Sequence, residues 1–168
     1  MDKSNYTFIK ATPADAESVL AAYRSIVGTP GCSWNEYYPN EESVNHSIEN
    51  GSQYLLHNES GELVAMCCCG YGDEIDDPLF AWQLELENPC YFGGMGVLPK
   101  FQGKGIAKHM VTLIIEEAVR RGYDGAVALV AVKNEFAQKA YREFGFSVTG
   151  QAEYYGQDYY LYETKFRK

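Results

Sequence analysis

The sequence predicts an α/β or α+β fold, in which a single sheet is covered by helices on both faces. Segments with strand-like patterns alternate with segments of helical spacing, which is typical of a sheet packed against helices. The run Gly125–Val132 is apolar throughout, as expected for a buried strand. The 168 residues contain no repeat and no linker, so we expect one domain over residues 1–168.

Apolar spacing and turn residues predict the individual elements. In the first half of the chain, the expected strands are 6–10, 53–57 and 62–70, and the expected helices are 12–27 and 40–50. In the second half, the expected strands are 91–98, 125–132, 146–154 and 159–166, and the expected helices are 105–121 and 134–144. Residues 72–90 are the least regular, and an edge strand over Phe80–Leu86 is the prediction there.

Composition excludes several classes of protein. Hydrophobic residues make up 46% and charged residues 22% of the chain, as in ordinary globular proteins. No apolar run approaches the roughly 20 residues of a membrane helix, and the first residues lack the apolar stretch of a signal peptide. Five cysteines form no CxxC or CxxH pair, and the histidines show no metal-binding spacing. We therefore expect a cytoplasmic protein with reduced thiols and no metal.

Charge is distributed unevenly along the chain. Residues 25–99 contain twelve Asp or Glu and no Lys or Arg, whereas residues 100–168 contain eleven basic and eight acidic residues. The acidic segment would repel nucleic acid and attract cations, and the basic segment would suit a phosphorylated ligand. Acidic residues also simply keep a surface soluble, so charge alone leaves both explanations open.

The residues most suggestive of chemistry are Gln102-Gly103-Lys104-Gly105-Ile106-Ala107, between an expected strand and an expected helix. The first N–H groups of a helix have no partners within the helix, and the helix dipole places partial positive charge there. Glycine lets the backbone approach a ligand closely, so this segment suits a pyrophosphate, with Lys104 and Lys108 adding charge. The spacing fits neither a Walker loop nor the GxGxxG fingerprint. A plain turn before an amphipathic helix is the simpler alternative.

Two motifs at the usual separation resemble the GCN5-related N-acetyltransferase family. Val97-x-Pro99-x-x-Gln102-x-x-Gly105-x-Ala107 is similar to the acetyl-CoA loop of that family, and Asn134-x-x-Ala137-x-x-x-Tyr141-x-x-x-Gly145-Phe146 resembles its second motif. Trp34-x-x-x-Tyr38-Pro39 looks like a bacterial subgroup of small acetyltransferases whose substrates are mostly unassigned. The resemblance implies a mixed, mostly antiparallel sheet whose two central parallel strands splay apart to admit acetyl-CoA.

The resemblance also implies which residues bind this co-substrate. Backbone groups of Met95, Gly96 and Val97 would hold the pantetheine arm, as an added strand would. The pyrophosphate would lie on the loop and the start of the helix, through Gln102, Gly103, Lys104, Gly105, Ile106, Ala107 and Lys108. Asn134 would contact the cofactor, although a helix-capping role is chemically sufficient for it.

Tyr141 is the implied catalytic residue. A phenol at this position would donate a proton to the thiolate that leaves when an amine attacks the thioester. Helical spacing alone would instead indicate a tyrosine on the buried face of an amphipathic helix.

The residues that would bind the acceptor amine are indicated less clearly than those that would bind acetyl-CoA. Many family members place an acid in the strand before the loop, but the aligned residue here is Tyr91, so the general base stays unassigned. The expected acceptor-binding residues are Glu87 and Tyr91, together with Trp34 and Tyr38 from the acidic segment. Carboxylates and aromatic faces suit a cationic amine, although core packing explains most aromatic residues equally well.

The leading prediction is an N-acetyltransferase that passes the acetyl group of acetyl-CoA directly to a small cationic primary amine in a ternary complex. One alternative keeps the chemistry but uses a protein α-amine or lysine as acceptor. Another is a non-catalytic module that binds acyl-CoA. We expect no nucleic-acid, membrane or metal partner, and a homodimer is an open prediction because dimers are common in the family.

Overall fold

The computed structural model describes residues 2–167, which form seven strands and four α-helices. The strands are β1 Thr7–Lys10, β2 Gln53–His57, β3 Leu63–Gly70, β4 Pro89–Val97, β5 Gly125–Ala131, β6 Ser147–Tyr154 and β7 Gln157–Lys165. The helices are α1 Ala16–Ile26, α2 Glu41–Glu49, α3 Ile106–Arg120 and α4 Glu135–Glu143. All seven strands belong to one open sheet in the order β1-β2-β3-β4-β5-β7-β6. The predicted fold class is confirmed.

The sheet contains both antiparallel and parallel pairs. The pairs β1–β2, β2–β3, β5–β7 and β6–β7 are antiparallel, whereas β4 and β5 are parallel. The parallel pairing joins Pro89–Phe92 to Gly125–Ala128. Beyond Phe92, β4 continues to Val97, and β5 stays paired with β7 as far as Ala131. The parallel registry of Pro89–Phe92 with Gly125–Ala128 lies within the second compact unit described below.

Contacts within the chain divide it into two compact units. The first unit comprises the described residues of Met1–Cys68 and Gly94–Ile114, and the second comprises those of Cys69–Gly93 and Ile115–Lys168. Strand β4 and helix α3 each contribute residues to both units. That the whole chain acts as one domain stays a prediction.

Two helices cover the core of the first unit. The buried residues of α1 are Val19, Ala22, Tyr23 and Ile26. Their spacing places them on one face of the helix, where they pack with residues of α2, β2 and β3. Helix α2 begins at a reciprocal cap, in which the Ser43 N–H donates to Asn40 Oδ1 and the Asn40 N–H donates to Ser43 Oγ, both at 2.9 Å.

The core of the second unit is strongly aromatic. Phe146 lies 5.7 Å from Phe92 and 5.0 Å from Tyr141, measured between ring centres. Gly145 takes a φ of 85° at the end of α4, and the Phe146 N–H then donates to Tyr141 O at 3.0 Å. This left-handed cap turns the chain so that Phe146 returns to the same core.

The prediction of an edge strand over Phe80–Leu86 is wrong, because this segment is irregular. Glu163 of β7 is only 1% exposed, and its carboxylate accepts the N–H groups of Gln83 at 2.7 Å and of Leu84 at 3.0 Å. The Thr149 hydroxyl donates to the same carboxylate. A strand would use those N–H groups in a ladder, but here a buried carboxylate accepts them.

We expect Glu163→Gln to lower the free energy of unfolding by about 2–3 kcal/mol, because an amide offers one acceptor oxygen and turns an NH₂ group toward a backbone donor. Urea denaturation of the purified protein measures this. Glu153→Gln, an exposed acid on the neighbouring strand β6, is the matched control and should change the value by less than about 0.5 kcal/mol. Equal stability of the two variants would show that the carboxylate does not anchor the 80–86 segment.

Candidate functional site

The loop predicted to bind an anion follows β4 in the first unit. A short turn, Pro99–Phe101, leads to Gln102, whose backbone is extended. Gln102 Nε2 donates to Val97 O at 3.0 Å. The side chain of Gln102 thus fastens the loop to the end of β4.

Two glycines give this loop its shape. Gly103 and Gly105 have φ values of 76° and 78°, which a residue with a β-carbon rarely adopts. Apart from the glycine itself and the residues adjacent to it in the chain, no atom lies within 4 Å of the place a β-carbon would take at either position, so conformation rather than crowding requires glycine. Residues 102–105 are exposed, and α3 begins directly after them at Ile106. The positive end of a 15-residue helix dipole therefore lies at an exposed glycine loop.

Lysines surround the loop. Lys104 and Lys108 are exposed, and Lys104 Nζ lies 5.7 Å from the ring centre of Phe101. Lys100 Nζ lies 5.1 Å from the same ring and 2.8 Å from Glu62 Oε1. The hydrogen bond from Lys100 lowers the pKa of the Glu62 carboxyl. This arrangement combines backbone donors with positive charge, which suits a phosphorylated ligand.

The residues before the loop pack closely against α1. A β-carbon at Gly96 would lie 2.7 Å from Ile26 Cδ1 and 3.1 Å from the Trp34 ring, so a larger residue there would displace these side chains. Trp34 is partly buried, and its ring lies edge-on to that of Tyr23 at 5.1 Å. The structure therefore brings Trp34 beside Met95–Val97. Tyr38, the other predicted acceptor residue of this unit, is largely exposed.

Asn134 caps helix α4 in the second unit, and Tyr141 lies within the helix. Asn134 Oδ1 accepts the Ala137 N–H at 3.1 Å, as expected of a cap. Gln138 Nε2 donates to Ala131 O at 3.2 Å and to Val132 O at 2.6 Å, which fastens the helix to the end of β5. Tyr141 is 7% exposed, and its ring is set by contacts with Phe146 and with Tyr162, whose ring centre lies 5.9 Å away.

Tyr91 and Glu87, the predicted acceptor residues of the second unit, differ in their surroundings. Tyr91 is half-buried, and a β-carbon at Gly93 would lie 2.7 Å from its Cε1 atom, so the ring lies across the strand backbone. Glu87 is exposed, while its N–H donates to Asp124 Oδ2 at 2.6 Å. The backbone at Glu87 is therefore fixed, and its carboxylate stays in solvent.

The second unit also groups aromatic rings with acids. Phe80 lies 5.8 Å from Trp82 and 5.2 Å from Tyr154, and Trp82 Nε1 donates to Glu74 O at 2.9 Å. Burial raises the pKa of Tyr154 to about 12, with further contributions from Tyr155 and the nearby acids. Burial, and then repulsion from Asp73 and Asp77, raises the pKa of the Glu74 carboxyl. A cation beside Glu74 would relieve this repulsion.

Sequence reasoning did not single out Tyr23 or Glu163. The hydroxyl of Tyr23 donates to Gly94 O at 2.8 Å, immediately before Met95. Helical spacing marks Tyr23 only as one residue of the buried face of α1. An acid within the expected strand 159–166 was the available signal for Glu163, because a charged residue is rarely buried without a specific partner.

The described part of the chain contains no group of three His, Cys, Asp or Glu side chains arranged to hold a metal ion. Over the same residues, none of the helices combines the length and apolar character needed to cross a bilayer.

The fold is an open mixed sheet with an exposed glycine loop at the N-terminus of α3, an arrangement that suits a phosphorylated ligand. The sequence matches the acetyltransferase (GNAT) family over residues 19–146, which include the loop and α4. The chain belongs to this family. No curated protein sequence matches it.

Solved structures share the fold. A GNAT-family acetyltransferase from Streptococcus agalactiae is 17% identical with a TM-score of 0.79, covering 97% of this chain and 96% of that one. An N-acetyltransferase from Staphylococcus aureus is 22% identical with a TM-score of 0.71, covering 96% and 98%. A Salmonella typhimurium protein classed as an acetyltransferase, solved with its cofactor acetyl-CoA, is 20% identical with a TM-score of 0.72, covering 98% and 95%.

Proposed function

We propose that this protein transfers the acetyl group of acetyl-CoA to the amine of a small cationic molecule. The observation that carries the proposal is the exposed loop before α3, whose glycines take positive φ values within a segment that matches the acetyltransferase family. In such a loop, backbone N–H groups and the helix dipole favour a pyrophosphate.

Acetyl-CoA supplies an activated thioester, and the residues of the chain hold it. Backbone groups of Met95–Val97 bind the pantetheine arm, and the N–H groups of residues 103–107 bind the pyrophosphate, with Lys104 and Lys108 adding charge. Gln102 stabilises the loop through its bond to Val97 O. Asn134 caps α4 through its oxygen, and its NH₂ group is the proposed donor to the cofactor.

Tyr141 is the proposed general acid. As the amine nitrogen bonds to the acetyl carbon, the carbon–sulfur bond breaks, and the Tyr141 hydroxyl gives its proton to the sulfur. The phenolate then recovers a proton from water, and the new amide nitrogen loses one to solvent. The aromatic contacts of Tyr141 support this role because they fix the direction of its ring.

The proposal of a cationic acceptor rests on the excess of acidic residues in one segment of the chain. The segment 25–99 contains twelve acids and no Lys or Arg, and Glu74 carries a raised pKa among further acids. Proposed acceptor contacts are Trp34 and Tyr38 in the first unit and Glu87 and Tyr91 in the second. Aromatic faces and carboxylates attract an ammonium group, and more strongly where water is partly excluded.

A panel of matched amines tests the proposed function. Thiol release from acetyl-CoA is measured at about pH 8 with a four-carbon diamine, amino alcohol and ω-amino acid, which differ only in the distal group. We expect kcat/KM for the diamine to exceed that for the amino acid by at least about 10-fold, because a carboxylate would be repelled by the acidic segment. Preference for the amino acid would overturn the cationic acceptor.

The same assay separates the remaining alternatives. Turnover confined to peptides with a free α-amine or lysine would indicate a protein acceptor. Tight binding of acetyl-CoA without turnover of any amine or peptide would indicate a binding module and contradict the proposed enzyme.

A further inference from the structure

A buried chain of hydrogen bonds in the first unit ends at β4, and the proposed function does not use it. Gln53 and Tyr23 are 1% and 2% exposed. Gln53 Nε2 donates to Tyr23 Oη at 3.3 Å, and Tyr23 Oη in turn donates to Gly94 O at 2.8 Å. The chain therefore runs from β2 through α1 to the backbone of β4.

The direction of these bonds is set by the partners of Gln53. Its Oε1 atom accepts from Cys68 Sγ at 3.2 Å and lies 3.0 Å from Ser47 Oγ, a hydroxyl that also lies 2.9 Å from Val44 O. The oxygen also lies 3.5 Å from Tyr23 Oη, which is farther than the 2.8 Å that separates this hydroxyl from Gly94 O. The amide NH₂ of Gln53 thus points at Tyr23, and the phenolic proton points at Gly94 O.

Gly94 is where β4 departs from regular geometry. Its φ is 56°, and a β-carbon there would lie 2.7 Å from Tyr23 Oη and 3.5 Å from Cys68 Sγ. Both the backbone conformation and the close approach of Tyr23 require glycine. The Tyr23 hydroxyl supplies a hydrogen-bond donor to the carbonyl at this position.

The carbonyl of Gly94 and the N–H of Met95 belong to one planar peptide group. In a trans peptide they point in opposite directions, so a donor that fixes the carbonyl also fixes the direction of the N–H. The Met95 N–H is among the backbone groups proposed to hold the acyl-pantetheine arm. Tyr23 can therefore act on bound acetyl-CoA without touching it.

We propose that Tyr23 is a positioning residue for acetyl transfer, which orients the Gly94–Met95 peptide and thereby the thioester. Gln53 supports it by holding the hydroxyl in place. This inference rests on the proposed function. Burial raises the pKa of Tyr23 far above its usual value, so the phenol stays protonated and keeps donating at any working pH.

The test replaces Tyr23 by Phe, which keeps the ring and removes only the hydroxyl. We expect kcat to fall at least about 10-fold, because a small displacement of reacting groups is costly. KM for acetyl-CoA should change less than about threefold, because the pyrophosphate loop is untouched, and the pH dependence of kcat should keep its shape. Tyr54→Phe is the matched control, since Tyr54 is also 2% exposed in the same unit, and its kcat should stay within about twofold.

Amide hydrogen exchange gives a second readout that does not need turnover. Tyr23→Phe should accelerate exchange at residues 94–97 and leave β5 unchanged. In an active enzyme, unchanged kcat or unchanged exchange at 94–97 would overturn the role of Tyr23. A wild-type protein that neither binds acetyl-CoA nor releases thiol would instead overturn the proposed function, and the inference with it, whatever the exchange rates.

Discussion

Tyr141→Phe should lower kcat by about 100-fold or more and leave the affinity for acetyl-CoA within about threefold of the wild-type value. A positioned general acid contributes roughly that factor, and removing one oxygen leaves the ring contacts with Phe146 and Tyr162 in place. Steady-state kinetics with a saturating amine measure kcat. Calorimetric titration with acetyl-CoA measures the affinity.

Tyr123→Phe provides the control for this experiment. Tyr123 is half-buried in the same unit, and the guanidinium carbon of Arg121 lies 5.3 Å from its ring centre. Removing the Tyr123 hydroxyl should leave both kcat and the affinity for acetyl-CoA unchanged. If Tyr141→Phe retains more than a third of the wild-type kcat, Tyr141 is a core residue rather than the acid. If it loses affinity and kcat together, its role is structural.

Gly105→Asp should weaken acetyl-CoA binding by about 100-fold relative to Gly105→Asn. Both side chains have the same shape and meet the same φ of 78°, and no atom outside the adjacent residues lies within 4 Å of the new β-carbon. Only the negative charge differs. A unit charge about 5 Å from a phosphate costs roughly 3 kcal/mol at an effective dielectric constant near 20, which corresponds to about two orders of magnitude.

Stability provides an internal control for this pair. An acid just before α3 interacts favourably with the helix dipole, so Gly105→Asp should be at least as stable as Gly105→Asn. The expected result is therefore a variant that folds equally well and binds poorly. Equal dissociation constants for acetyl-CoA in the two variants would show that the pyrophosphate does not lie on this loop.

Local chemistry made most of the fold predictable. Asn40 and Asn134 begin helices because their side chains accept backbone N–H groups within one turn. Gly145 ends α4 because it takes a left-handed conformation. The edge strand over Phe80–Leu86 was wrong because Glu163, far along the chain, accepts the N–H groups of this segment. Hydrogen bonds between residues so far apart in the sequence produce no periodic pattern from which they could be predicted.

The candidate site likewise has one part that the local sequence predicts and another part that it does not. Gly103 and Gly105 lie in a contiguous loop, so their conformation follows from residues next to one another. Tyr23 depends on Gly94, 71 residues along the chain, and its spacing marks it only as part of a buried stripe. The aromatic and acidic grouping around Glu74 and Tyr154 likewise joins segments distant in sequence. Sequence spacing therefore predicts the glycine loop before α3 better than it predicts Tyr23 or the group of aromatic and acidic residues.

The most direct test of acetyl transfer follows the acetyl group itself. Wild-type protein is incubated with isotopically labelled acetyl-CoA and the four-carbon diamine. The masses of the small-molecule products and of the intact protein are then measured by mass spectrometry. The expected result is labelled N-acetyl diamine, one free thiol for each acetyl group transferred, and a protein of unchanged mass. Absence of labelled amide from every acceptor of the panel, or an acetyl group retained on the protein, would contradict direct transfer.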